Sequence, residues 1–84
     1  MSTSALETTA LAREVEVTGA ELIVRLKDGR TISVPLAWFP RLVKATPAQR
    51  VNLELMGNGE GIHWPEADED LSVAGLLRGV RAPG

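Results

Sequence analysis

The segment 28–40 has the sequence Asp28-Gly29-Arg30-Thr31-Ile32-Ser33-Val34-Pro35-Leu36-Ala37-Trp38-Phe39-Pro40. Its apolar residues alternate from Ile32 to Leu36, which predicts a strand with one buried face. Two prolines bracket the end of this strand, and Trp38 and Phe39 supply the largest apolar side chains in the first half of the chain. We therefore expect a sheet on the N-terminal side of this segment and helices on its C-terminal side.

Two earlier strands are predicted by the same kind of alternation, over residues 14–18 and 21–27. Gly19-Ala20 between them suits a two-residue type II′ hairpin turn, which places Val17 opposite Leu22. The three strands then form an antiparallel meander.

The second hairpin requires a longer loop. A two-residue turn at Asp28-Gly29 would turn the apolar residues of the third strand away from the core. A three-residue loop over residues 27–29 instead pairs Val24 with Ile32. This geometry is a type I turn followed by a G1 bulge, and it predicts a positive φ at Gly29.

The second half of the chain contains shorter signals. A proline at the first helical position favours a helix over residues 41–44, and Thr46 with Gln49 forms a capping box for another. A short strand pair is predicted around Leu53–Leu55 and Ile62–Trp64. The acidic residues over 66–70 are predicted to precede a helix over 73–78. Ser72 would be the N-cap of this helix, and Gly79 would end it.

These signals predict an α+β fold. It contains an antiparallel three-stranded meander and a second short strand pair, with two or three short helices packed on one face. We expect a flexible tail over residues 1–12, a single domain over 13–80 and a short tail over 81–84. Eighty-four residues leave no room for a second domain.

Composition excludes several classes of function. The chain has no cysteine, so disulfides, thiolate metal sites and cysteine nucleophiles are excluded. A formal net charge of −2 argues against direct binding of nucleic acid. No apolar run reaches the length of a membrane span, and the N-terminal segment lacks the features of a signal peptide. We expect a cytoplasmic protein that does not bind a membrane.

Few residues of the sequence indicate phosphate binding, metal binding or catalysis. The glycine-rich loop over residues 57–61 lacks the lysine and hydroxyl of a P-loop, so it is interpreted as a tight connection. His63 is the only histidine, and it stands near the carboxylates Glu60, Glu66 and Asp68. A metal site of one histidine and two carboxylates is chemically possible there, but we expect no bound metal. No catalytic set has a recognisable spacing, so we expect neither enzymatic activity nor a cofactor.

The aromatic residues offer an alternative role. Three large rings in a small domain mostly fill its core, but an exposed tryptophan edge is a typical interface anchor. Carboxylates beside such an anchor would suit a basic partner protein. The candidate residues for binding a partner are Trp38, Phe39, Trp64, Asp68 and Glu69.

Several motifs together resemble the small bacterial "domain of unknown function 2442" family. They are Lys27-Asp28-Gly29-Arg30, the run from Ser33 to Leu42, Ala45-Thr46-Pro47, Gly61-Ile62-His63-Trp64-Pro65, and Asp68-Glu69-Asp70-Leu71-Ser72-Val73. The resemblance covers about residues 15–79. It implies a compact α+β fold of bacterial or phage origin and no established activity. Members of the family are often encoded beside another small protein, an arrangement that looks like a toxin–antitoxin pair. Some longer members carry a helix-turn-helix domain, which is not found in this chain.

The leading functional hypothesis is a non-enzymatic protein-interaction module, with an antitoxin-like member of a two-protein system as its more specific form. Its partner would be a small protein or a second copy of the chain. Two alternatives stay open. One is a small ligand- or metal-binding protein that uses His63 and the neighbouring carboxylates, and the other is a homo-oligomeric structural domain.

Overall fold

The first sheet is a meander of three antiparallel strands in sequence order. The computed structural model describes residues 10–81. The strands are β1 (Ala12–Val17), β2 (Glu21–Leu26) and β3 (Thr31–Pro35). Val17 lies opposite Leu22, and Val24 lies opposite Ile32, so the predicted register is confirmed. β1 begins inside the predicted tail, because Ala12 is wholly buried in the core; residues 1–9 of that tail lie outside the described range.

The loop between β2 and β3 has the predicted bulge. Gly29 has a φ of 98°, and its N–H donates to the Leu26 carbonyl at 3.1 Å. Asp28 holds the loop from one side: its Oδ1 accepts the Arg30 backbone N–H at 3.0 Å, and its Oδ2 accepts Arg30 Nε at 2.8 Å. The hydrogen bond from the Arg30 side chain, followed by that from its backbone, lowers the pKa of Asp28.

The loop between β1 and β2 differs from the prediction. A type II′ turn needs a positive φ at its first central residue, and Gly19 lies outside the left-handed region. Thr18 stabilises the turn instead. Its Oγ1 accepts the N–H groups of Ala20 at 3.1 Å and Glu21 at 2.9 Å. The local bonds of a threonine side chain thus replace the glycine-dependent turn.

Short helices connect the two sheets. A 3₁₀ turn (Leu36–Trp38) is followed by α1 (Pro40–Lys44) and α2 (Pro47–Val51). The capping box of α2 is present, with both reciprocal bonds between Thr46 and Gln49. Arg50 then reaches back to α1, where its Nε donates to the Leu42 carbonyl at 2.9 Å and its Nη2 to the Val43 carbonyl at 2.8 Å. These bonds satisfy carbonyls that the end of a helix leaves free.

The second sheet has one strand more than the sequence predicts. It contains β4 (Glu54–Met56), β5 (Gly61–Trp64) and β6 (Glu69–Ser72), antiparallel and in sequence order. The last helix, α3, spans Val73–Leu77, and Ser72 Oγ caps it by accepting the Gly75 N–H at 2.9 Å. Gly79, at a φ of 78°, ends it as predicted.

A single core cluster joins both sheets and the helices. Its members come from every layer of the domain: Ala12, Leu22, Val24, Leu26, Val34, Leu36, Phe39, Leu42, Ile62, Trp64, Val73 and Leu76. The α+β fold is therefore confirmed. No helix within residues 10–81 is long and apolar enough to cross a membrane.

The two sheets meet at an unusually short distance beside Ala12. Gly59, in the loop between β4 and β5, is buried and has a φ of 106°. A Cβ at this position would lie 2.3 Å from the Ala12 carbonyl oxygen and 2.8 Å from its nitrogen. Only glycine allows this backbone approach. The glycine-rich loop is thus a tight connection that also brings the sheets together.

Candidate functional site

Two of the three aromatic candidates are core residues. Phe39 and Trp64 have no exposed surface. The Trp64 indole N–H also has an internal partner, the Arg50 carbonyl at 3.0 Å. The prediction that Phe39 and Trp64 anchor a partner is therefore wrong, because neither ring can reach another molecule while the domain is folded.

Trp38 has a different environment. It lies in the 3₁₀ turn, is partly buried, and packs against the edge of the core. The Arg81 guanidinium covers one face of its ring at 4.4 Å from the centroid. This cation–π contact places Arg81 on the domain rather than in the predicted C-terminal tail. Trp38 stays a candidate with part of its surface occupied.

The acidic run does not lead into a helix. Residues 65–68 form the turn between β5 and β6, and Glu69 begins β6. Asp68 has a φ of 54°, and its carbonyl accepts Arg41 Nη1 at 2.6 Å. The Asp68 side chain is 92% exposed. Of the acidic candidates, Asp68 is thus available to a partner.

The side chains of the alternative metal site do not come together. His63 lies opposite Asp70 across β5 and β6, and its Nδ1 contacts Asp70 Oδ1 at 2.5 Å. Glu66 accepts instead from Asn52 Nδ2 at 3.1 Å. Among residues 10–81 there is no group of three histidine, aspartate or glutamate side chains arranged to hold a metal. The alternative built on His63 with Glu60, Glu66 and Asp68 is therefore corrected to a His63–Asp70 pair.

Glu69 is buried, with 7% of its surface exposed. It lies opposite Trp64 on the core side of β6. Its Oε1 accepts the Asp70 N–H at 3.1 Å, while its Oε2 has no hydrogen-bond partner in the described part of the chain. The sequence prediction treated Glu69 as a surface carboxylate. Its spacing of two from Leu71 was the signal that placed both on one face of a strand.

Charge is distributed unevenly along the chain. Residues 51–77 contain no lysine or arginine. The same segment contains six carboxylates: Glu54, Glu60, Glu66, Asp68, Glu69 and Asp70. The second sheet is built entirely from this segment, so it is acidic on a chain whose net charge is only −2. Counting charges by segment would have revealed this surface from the sequence.

Apolar side chains are exposed at one edge of the acidic sheet. All three residues of β4 are exposed, with Leu55 at 39% and Met56 at 50%. Val51, at the end of α2, is 71% exposed. β4 pairs with β5 on one side, and no other strand of residues 10–81 pairs with its outer side. We call β4 with Val51 the β4 edge. Glu54 and Leu55 lie within the predicted strand around Leu53–Leu55, whereas Val51 and Met56 lie outside it, and the exposure of this edge is not part of the prediction.

The fold and these surfaces define a small α+β domain of two three-stranded meanders with an acidic second sheet. A family model described as protein of unknown function (DUF2442) matches residues 12–82. The chain therefore belongs to the DUF2442 family, as the motifs in its sequence indicate.

Two solved structures have the same fold. A crystal structure of a protein of unknown function from Rhodospirillum rubrum is 31% identical, with a TM-score of 0.76 over 90% of this chain and 94% of that chain. A solution NMR structure of an uncharacterised protein from Chromobacterium violaceum is 25% identical, with a TM-score of 0.74 over 98% of this chain and 76% of that chain. A comparison with curated proteins gives no significant match.

Proposed function

We propose that this domain is a protein-interaction module whose β4 edge pairs with an extended, basic segment of a partner protein. The observation that carries the proposal is the exposure of every residue of β4 on a strand whose outer side is unpaired among residues 10–81. The aromatic surface predicted from the sequence is not needed for this function.

Strand addition is the binding mode that fits this edge. A free edge presents backbone N–H and C=O groups to any extended chain, and proteins protect it with short strands, charged side chains, proline or a bulge. β4 has the sequence Glu54-Leu55-Met56: it is short and has one charge, but it contains no lysine or proline. Backbone hydrogen bonds would give affinity, and the side chains of Leu55 and Met56 would give selectivity.

The charge of the sheet favours a basic partner. Glu54 on β4 lies beside His63 on β5, and His63 lies beside Asp70 on β6. The segment contributes six carboxylates and no lysine or arginine. Two copies of this sheet placed edge to edge would bring like charges together, whereas a basic segment would complement them. The exposed Asp68 carboxylate would act at the rim and increase the association rate.

The more specific form of the hypothesis is an antitoxin-like role in a two-protein system. It is supported by the paired genes that the family resemblance implies, and the acidic sheet is compatible with a basic toxin-like partner. A homo-oligomeric domain is the competing proposal, and it uses the same edge.

The experiment is co-expression of this chain with the product of the adjacent gene. The affinity for that product is then measured for the wild-type domain and for two lysine variants. Met56→Lys introduces a charge at the β4 edge. Val43→Lys introduces the same charge on α1, where Val43 is 46% exposed. We expect Met56→Lys to weaken binding by about tenfold or more, since protected edges resist strand addition. Val43→Lys should bind like the wild type.

Salt and mass measurements complete the test. Affinity should fall as ionic strength rises, because the attraction between the sheet and a basic segment is screened. If Met56→Lys and Val43→Lys both bind the partner with the affinity of the wild type, the β4 edge is not the interface. A dimer of this chain alone, dissociated by Met56→Lys in light-scattering measurements, would replace the basic partner with a second copy.

A further inference from the structure

The Glu69 carboxylate is incompletely satisfied inside the domain. Its side chain is more than nine-tenths buried, and one oxygen, Oε2, lacks a hydrogen-bond partner among residues 10–81. Its other oxygen is held by the Asp70 backbone N–H at 3.1 Å. Leaving a buried acceptor unpaired is unfavourable, so such a group calls for a structural explanation. A donor that arrives with a ligand would provide one.

A cavity adjoins this carboxylate between β6 and α3. Its volume is about 230 Å³, and Glu69 is one of its lining residues. Leu71, Leu76 and Val80 provide apolar walls, while Asp70 and Ser72 add polar groups. Sites for drug-sized molecules and cofactors usually span about 300–1,000 Å³. This cavity therefore suits a single side chain or a small molecule of similar size.

Electrostatics define the charge of the occupant. Six of the eight described lining residues lie in the segment without lysine or arginine, and two of them, Glu69 and Asp70, are carboxylates. Arg81 is the one basic residue among the described lining residues, and its guanidinium lies over the Trp38 ring. No salt bridge to Glu69 forms within residues 10–81. A cation is the ligand that this environment favours.

We propose that the cavity binds an alkylammonium group, as found at the end of a lysine side chain or in a free small amine. An ammonium group has three donors and no acceptor, so it can satisfy Glu69 Oε2. This oxygen has almost no accessible surface, so the proposal includes a turn of the carboxylate towards the cavity when the ligand binds. Its aliphatic stem can pack against Leu71, Leu76 and Val80. The cavity involves β6 and α3, whereas the proposed partner segment pairs with the other edge of the sheet. The inference therefore goes beyond the proposed function and holds with or without strand addition.

The test is an NMR titration of the full chain with n-butylammonium, and with n-butanol as a neutral ligand of similar shape. We expect saturable shifts at the amides of Ser72, Gly75 and Val80. The ammonium form should bind at least about tenfold more tightly than the alcohol, because hydrogen bonds to charged groups are stronger than neutral ones. Glu69→Gln should remove this preference.

Two controls separate the cavity from general acidity and from misfolding. Glu60→Gln removes one carboxylate of the same segment outside the cavity, and it should bind n-butylammonium like the wild type. Circular dichroism and thermal unfolding establish that Glu69→Gln is folded. Equal binding of the amine by Glu69→Gln and wild type would overturn the proposal. So would equal binding of amine and alcohol by the wild type.

A second arm distinguishes the two sources of the ligand. Nα-acetyl-lysinamide presents the ammonium group in the context of a peptide. If it binds with the same dependence on Glu69 as n-butylammonium, a lysine of another protein can occupy the cavity. If only n-butylammonium binds, the ligand class is a free small amine.

Discussion

Gly59→Ala tests the contact that joins the two sheets. The substitution adds a Cβ only 2.3 Å from the Ala12 carbonyl oxygen, at a residue whose φ is 106°. Carbon and neighbouring heavy atoms prefer separations of about 3.5–4.0 Å, so the backbones must move apart by roughly 1 Å. The Ala12 atoms belong to the main chain, and the position of a Cβ is fixed by its own backbone, so no side-chain rotation can relieve the clash.

The magnitude can be separated into two parts. A positive φ costs an L-residue about 1–2 kcal/mol, and overpacking adds about 1–3 kcal/mol. Gly29→Ala isolates the first part, since Gly29 has a similar φ of 98° and no atom within 4 Å of its added Cβ. We expect Gly29→Ala to destabilise by about 1–2 kcal/mol and Gly59→Ala by about 2–5 kcal/mol. A domain of this size has a total stability of about 4–12 kcal/mol.

The assay is urea unfolding of wild type, Gly29→Ala and Gly59→Ala, followed by circular dichroism and by tryptophan fluorescence. Equal losses of unfolding free energy in the two variants would refute the close approach of Gly59 to Ala12. If Gly59→Ala gives no folded protein, the reasoning is upheld only when Gly29→Ala still folds. If neither Gly59→Ala nor Gly29→Ala folds, the loss of stability would be assigned to the positive φ alone and not to the clash with Ala12.

Three further predictions concern stability. Arg50→Ala removes two hydrogen bonds to the end of α1 and should destabilise the domain by about 1–3 kcal/mol. Arg50→Lys should restore part of the lost stability, and an unchanged thermal midpoint in Arg50→Ala would contradict the prediction. Because Arg30 lowers the pKa of Asp28, their interaction stabilises the fold above the ordinary carboxyl pKa and is lost as the pH falls through the lowered one. The difference in midpoint between wild type and Asp28→Asn should therefore shrink below about pH 4, and a constant difference would argue against it. Chelators and added zinc, manganese or magnesium should leave the midpoint unchanged, since His63 is paired with Asp70; a rise of several degrees with one metal would restore the metal hypothesis.

The sequence predicts the first sheet well because its strands alternate cleanly. The apolar residues of β2 and β3 face one another only if the loop has three residues, so the sequence alone assigns a positive φ to Gly29. The turn at Gly19 was predicted less well. Glycine permits a type II′ turn without requiring one, and the Thr18 side chain stabilises another geometry.

The second sheet was harder to predict because charge obscures its pattern. β6 has the sequence Glu69-Asp70-Leu71-Ser72, and three of its four side chains are polar. A run of carboxylates before an N-cap is typical of a helix start, so the helix signal displaced the strand signal. The buried position of Glu69 depends on its pairing with Trp64, which is a tertiary contact.

The candidate site could be predicted only in part for the same reason. Tryptophan and phenylalanine stabilise both protein cores and protein interfaces, so the amino-acid composition does not distinguish the two roles. Burial of Phe39 and Trp64 depends on tertiary packing in the core cluster. Exposure of Leu55 and Met56 depends on the absence of a strand beyond β4 in the described part of the chain. Local pattern contains neither kind of information.

The arrangement of the strands also has a consequence for the order of folding. Each sheet pairs only strands that are neighbours in sequence, so either meander closes through short loops. The approach of Gly59 to Ala12, by contrast, joins residues of the two sheets that are far apart in the sequence. Because closing a longer loop costs more entropy, docking of the two meanders is expected to follow their formation. Substitutions at this junction should then accelerate unfolding more than they slow folding, so the junction sets how long the native state persists.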